Sequence, residues 1–223
     1  MKYNKKIIIK INSDDGNSIT LPIQKLSHTI IFGSTGSGKS NLLHMIITDL
    51  VKNYSPNELK LALIDPKYVE FNSYKSLPNL FGSIAKSTEE INTLLNDCLS
   101  QVGTLNKPII ILIDELAELT LNNDTISKIT SILNNDTNSN VYLIMASQRP
   151  NLIPSEIINK INTKICFPID FDKLPKELSN EIKKTQKKNI GEMIFINSDT
   201  HKHIQTKHIT QSIINDSVNN CKK

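Results

Sequence analysis

The sequence predicts an α/β fold with a mostly parallel central sheet, helices on both faces and an N-terminal β-hairpin. Three observations predict it. Short apolar runs at residues 28–32, 59–64, 109–113 and 141–146 alternate with helical stretches, the pattern of strand–helix–strand units. The run Ile109-Ile110-Ile111-Leu112-Ile113 has no polar residue, which suits a strand covered on both faces, as in a parallel sheet. Each of these runs ends in glycine, serine or a carboxylate, the residue types that open sites at the carboxyl ends of parallel strands.

Taken in order, residues 6–11 and 19–23 flank the polar stretch Asp14-Asp15-Gly16-Asn17 and read as a hairpin. A strand at 28–32 then enters Gly33-Ser34-Thr35-Gly36-Ser37-Gly38-Lys39-Ser40, and Asn41 begins an amphipathic helix that Pro56 ends. Strand, glycine-rich turn and helix in that order form a phosphate-binding P-loop. The glycines let backbone N–H groups curl inward, and the helix adds its unpaired N–H groups and positive dipole end. Lys39 is expected on the β- and γ-phosphates of ATP and the Ser40 hydroxyl on Mg2+.

Residues 59–64 form the next strand, ending in Asp65-Pro66-Lys67, and Ser83-Ile84-Ala85 reads as a further short strand. Ser87 and Glu90 carry a capping-box spacing for a helix running to about Val102. After the strand at 109–113 come Asp114 and Glu115, a Walker-B arrangement. Asp114 is expected to hold Mg2+ opposite Ser40, and Glu115 to polarise the attacking water. Helical material occupies 115–135, and the strand at 141–146 delivers Ser147 and Gln148 to the same sheet edge, where a neutral amide can sense a γ-phosphate. A strand at 165–167, a lysine-rich helix at 175–188, two closing strands at 192–196 and 204–208, and a helix from Thr210 complete the chain.

Composition adds boundaries. The 223 residues suffice for one substantial domain, and a formal charge of +4 is compatible with a polyanionic partner without requiring one. Lysine and arginine total 26, yet the only arginine is Arg149, which sets it apart in a lysine-biased chain. Three cysteines without a CxxC pair point to reduced thiols and a cytoplasmic protein, with Cys98 and Cys166 in the core. No apolar stretch is long enough to span a membrane, so direct membrane insertion is not expected. His201, His203 and His208 fall on strand-like alternation without a carboxylate or cysteine partner, a poor pattern for zinc.

Four stretches together carry a family resemblance: residues 33–40, Ile64-Asp65-Pro66-Lys67 with Glu70, residues 112–119, and Ala146-Ser147-Gln148-Arg149-Pro150. In order and spacing they resemble the signatures of the FtsK/SpoIIIE DNA translocases, of the FtsK–HerA group of ring-forming motors. Gly191-Glu192-Met193-Ile194-Phe195 and the N-terminal hairpin extend the resemblance to about residues 6–214.

The resemblance implies a RecA-like P-loop NTPase core at 28–214, with residues 1–27 as a hairpin extension and 215–223 as a tail. It implies a homo-oligomeric ring, a hexamer, around double-stranded DNA, moving DNA by ATP hydrolysis between subunits. Gly33 to Ser40 and Asn41 would bind nucleotide, Lys39, Asp114, Glu115 and Gln148 would act in hydrolysis, and Arg149 would either brace its own site or reach a neighbour's nucleotide. The family's later arginines are replaced by Lys164 and Lys173, so a conventional arginine finger is not expected there. Lys183, Lys184, Lys187 and Lys188 are candidate DNA contacts, as are Lys67, Lys75 and Lys86. The expected protein is a motor without its own membrane helices or winged-helix DNA reader, placed by a membrane or mobile-element partner. A conjugative coupling or DNA-packaging ATPase of the same fold, and a non-translocating nucleotide-switched regulator, are alternatives at this stage.

Overall fold

The computed structural model describes residues 7–13, 16, 18–23, 28–104, 106–135, 140–170, 172, 174, 189–197 and 200–221. Strands β1 (Ile8–Ile11) and β2 (Ile19–Pro22) form an antiparallel hairpin. Then come β3 (His28–Phe32), α1 (Lys39–Asn53), β4 (Lys60–Ile64), α2 (Thr88–Ser100), β5 (Ile109–Ile113), α3 (Asn123–Leu133) and β6 (Val141–Ser147). The short α4 (Ser155–Lys160), β7 (Thr163–Cys166), β8 (Glu192–Asn197), β9 (Thr200–Gln205) and α5 (Gln211–Asn219) follow.

Seven strands form one sheet in the order β4-β5-β6-β3-β7-β8-β9. The first five are parallel to one another, and β8 and β9 close the sheet antiparallel. The P-loop strand β3 therefore lies between β6 and β7, and the loops after β3, β4, β5 and β6 share one edge. Strand alternation divides the core into two faces. Ile31, Leu61, Leu63, Ile110, Leu112 and Ile144 pack with α1, α5 and the hairpin. Ile30, Phe32, Ile64, Ile111, Ile113 and Met145 pack with α2, α3 and α4. Every residue of β5 is buried, at about 2 kcal/mol for each isoleucine removed from water.

Local signals explain the helix starts. Ser87 accepts from the Glu90 N–H at 3.3 Å and the Glu90 carboxylate accepts from the Ser87 N–H at 3.0 Å, the expected capping box. Thr210 caps α5 through the Ile213 N–H. Helix α1 starts at Gly38 with no side-chain cap, so its first N–H groups are left for an anion.

Two expectations need correction and two are refined in their bounds. The segment at 83–85 makes only the bridge from Ala85 to Ile64, because its chain turns away at once. Helix α2 stops at Ser100, and Gly103 at φ 72° follows in the turn beyond. The stretch at 115–135 is a 3-10 turn at Leu116–Glu118 and then α3, with Asn122 capping the latter. The last strand is Thr200–Gln205, earlier than 204–208, paired with β8 through Asn197↔Thr200 to Glu192↔Gln205. The lysine-rich helix at 175–188 lies outside the described residues, as does most of the turn at 14–17. Among the described residues no helix is long and apolar enough to cross a membrane.

Candidate nucleotide site

The loop at 33–38 leaves β3 and is braced from two later segments. The Ser34 N–H donates to the Pro168 carbonyl at 2.9 Å, and the Gly191 N–H donates to the Ser37 carbonyl at 2.9 Å. Phe167 packs beneath it. Gly38 has φ 123°, and a Cβ there would lie 2.9 Å from the Phe167 ring, so both backbone angle and space require glycine. Lys39 folds along the loop, its Nζ donating to the carbonyls of Gly33 at 2.7 Å and Ser34 at 2.9 Å. Burial lowers its pKa, against the pull of Glu115 and Asp114.

Asn41 behaves differently from its neighbours. Its Nδ2 donates to the Lys207 carbonyl at 2.9 Å, and its Oδ1 accepts from the Ile209 N–H at 2.7 Å. Its side chain ties α1 to the segment before α5, and only its backbone faces the phosphate loop as part of the helix's first turn.

The two carboxylates stand just beyond β5. Asp114 is largely buried, and its pKa is pushed up to about 7, first by burial and then by the crowding of Glu70, Asp65 and Glu115. The Asp114 carboxylate is a hard oxygen donor of the kind that suits Mg2+, and a cation bound there would relieve the repulsion. Glu115 is 2 % exposed and surrounded by donors. The Ser147 hydroxyl donates to its Oε1 at 2.6 Å, the Ala117 N–H at 3.4 Å and the Gln148 N–H at 3.3 Å, while Lys67 Nζ lies 3.4 Å from its Oε2.

The third strand end joins the other two. Gln148 accepts through Oε1 from the Thr35 hydroxyl at 2.5 Å, while its own N–H reaches Glu115. Residues 33–40, 114–115 and 147–148 thus meet at one sheet edge. Arg149 pairs with Glu118 of the same chain at 2.6 Å, and Lys67 Nζ is 4.0 Å from Glu118. Lys67 is therefore committed to the carboxylates, and Lys86 lies over the Tyr68 ring and bonds Asn72. Lys164 donates to the Ile161 carbonyl at 2.6 Å. Lys173, Lys183, Lys184, Lys187 and Lys188 lie outside the described residues.

Sequence reasoning assigned no chemistry to Glu70, His44 or Tyr74. Ser40 donates not to Asp114 but to Glu70, at 2.8 Å. The signal that could have found His44 is its position four residues after Ser40, one turn along the same helix face.

Comparison with known proteins bears on the family and the fold. Residues 3–104 match the FtsK/SpoIIIE family model. The chain is 28% identical to a DNA translocase FtsK of Staphylococcus aureus, over 97% of this chain and 32% of that protein. It thus spans about a third of the length of the curated relatives it matches. Among solved structures it is similar to the cytoplasmic domain of the Thermomonospora curvata type VII secretion ATPase EccC, with a TM-score of 0.74 at 18% identity over 92% of this chain and 26% of the other. It is also similar to the pCW3 conjugation coupling protein TcpA with ATPγS, with a TM-score of 0.73 at 19% identity over 97% of this chain and 71% of that one. Residues 3–104 thus resemble the FtsK/SpoIIIE family, almost the whole chain is similar to DNA translocases named FtsK, and the fold is that of the RecA-like P-loop ATPases.

Proposed function

We propose that this chain is an ATP-hydrolysing motor that moves double-stranded DNA, working as a homo-oligomeric ring, a hexamer, with nucleotide at subunit interfaces. The observation that carries the reading is the meeting of three strand ends: Thr35 bonds the Gln148 side chain, and the Gln148 N–H reaches Glu115. The backbone of Gly33, Ser34, Thr35, Gly36, Ser37 and Gly38, with the first turn of α1, cradles the phosphates. Lys39 exchanges its loop carbonyls for phosphate oxygens. Ser40 and Asp114 hold Mg2+, which when bound neutralises phosphate charge. Glu115, held in place by Ser147 and two backbone N–H groups, orients the attacking water, and Gln148 reads the γ-phosphate. Arg149 braces the site in cis through Glu118.

In this reading residues 28–214 are the motor core, 1–27 an extension packed on it and 215–223 a tail. The protein works in the cytoplasm, and a partner from a membrane or a mobile element supplies location. Steady-state ATPase with and without linear duplex DNA tests the reading, together with particle size in the presence of an ATP analogue. Duplex-stimulated turnover and a ring-sized particle on DNA are expected. Turnover indifferent to duplex DNA would refute translocation and leave a nucleotide-switched regulator.

A further inference from the structure

A chain of four side chains runs beside the phosphate loop. The Ser40 hydroxyl donates to Glu70 Oε1 at 2.8 Å. His44 Nε2 stands 3.3 Å from Glu70 Oε2, and His44 Nδ1 shares a 2.8 Å hydrogen bond with the Tyr74 hydroxyl. In the neutral imidazole, Nε2–H aimed at the carboxylate leaves Nδ1 as the acceptor and the Tyr74 hydroxyl as the donor. Tyr74 is fully buried at the end of the 3-10 turn Asn72–Tyr74, so the far end of the chain is anchored in the core. The near end is fixed as well. Asp65 accepts from the N–H groups of Val69 at 3.3 Å and Phe71 at 3.0 Å, one on each side of Glu70.

A serine hydroxyl has one proton and two lone pairs. To serve a cation it must present a lone pair and send its proton to an acceptor elsewhere. Here the proton goes to Glu70, which spares both Asp114 oxygens for the metal's shell.

We propose that Glu70 is a positioning residue of the metal subsite: by taking the Ser40 proton it turns a Ser40 lone pair toward the divalent cation, and His44 with Tyr74 holds Glu70 in that orientation. The inference rests on the Mg2+–ATP reading of the site. It assigns Glu70 a role through its acceptor oxygen, with the contact to the cation made by Ser40.

Calorimetric titration with a non-hydrolysable ATP analogue, in Mg2+ and in EDTA, tests it without relying on turnover. The ratio of the two dissociation constants measures what the metal adds. Glu70→Ala is expected to cut that ratio about tenfold while the EDTA constant moves by less than about twofold, the usual scale for removing a group that orients a ligand. Glu70→Gln keeps an acceptor oxygen and is expected to keep the ratio within about threefold of the parent, with His44→Ala between the two. An unchanged ratio in Glu70→Ala overturns the inference, as does an equal loss in Mg2+ and EDTA, which would mark a structural tie. A Glu70→Gln loss as large as that of Glu70→Ala also overturns it, because charge and not proton acceptance would then matter. Should Glu70→Ala not fold, the Glu70→Gln and His44→Ala ratios decide on the same terms. Failure of the parent protein to bind the analogue in either buffer would instead refute the nucleotide reading itself.

Discussion

Neutral His28 at the base of the P-loop strand should make stability fall as acid is added. The ring is 8% exposed, and its Nδ1 accepts the Leu143 N–H at 3.2 Å across the β3–β6 pair. Burial pushes its pKa down from 6.5 to about 4. Protonating Nδ1 would also turn an acceptor into a donor facing a donor. Between those two values the unfolded chain binds more protons than the folded one, so stability rises with pH across the window. The contribution is complete above pH 6.5 and is lost as pH falls toward 4. At 1.36 kcal/mol per unit the loss amounts to about 3 kcal/mol. His28→Asn offers an amide oxygen to Leu143 and does not titrate. Urea denaturation of both proteins across the window is the assay. Carboxylates that titrate nearby affect both proteins alike, so the difference between them isolates His28. That difference should move by about 3 kcal/mol in favour of the asparagine variant as pH drops. A difference that does not change with pH would refute the reasoning.

Four further outcomes are expected. Gly38→Ala, at φ 123° and with Phe167 2.9 Å from the new Cβ, should cost about 1–3 kcal/mol in denaturant titration and weaken nucleotide binding. Glu115→Gln should lower phosphate release by about 10²–10⁴ while retaining nucleotide affinity, because the residue lies against Gln148 and not within the glycine turn. The Arg149–Glu118 pair is partly exposed, so a double-mutant cycle on stability should return less than about 1 kcal/mol of coupling. Cys98, whose thiol burial pushes up to about 12, should resist a thiol reagent in the native protein and react on unfolding, whereas the half-buried Cys221 reacts first.

The parts of the fold that were legible are those whose signal is local. Five apolar residues at 109–113, closed by Asp114, could only be a buried strand, and the eight residues at 33–40 dictate their own turn. Helix α4 has no legible signal, because six residues carry too little periodicity. Strand β9 is hidden from pattern reading because His201, Lys202 and His203 are exposed on an edge strand and give no apolar alternation.

The α/β class, the phosphate loop and the carboxylate-bearing strand end are written in neighbouring residues and can be read without any coordinates. Which side chains hold one another comes from the folded arrangement: Ser40 to Glu70, Asn41 to the segment at 207–209, Lys67 to Glu115, Gln148 to Thr35. Those partners lie 30 to 168 positions apart, and their meeting follows from the strand order β4-β5-β6-β3-β7-β8-β9. Burial patterns specify which way a residue faces along its own strand. They carry no information about which strand lies beside it, and the choice of hydrogen-bond partner at a sheet edge is made by that adjacency.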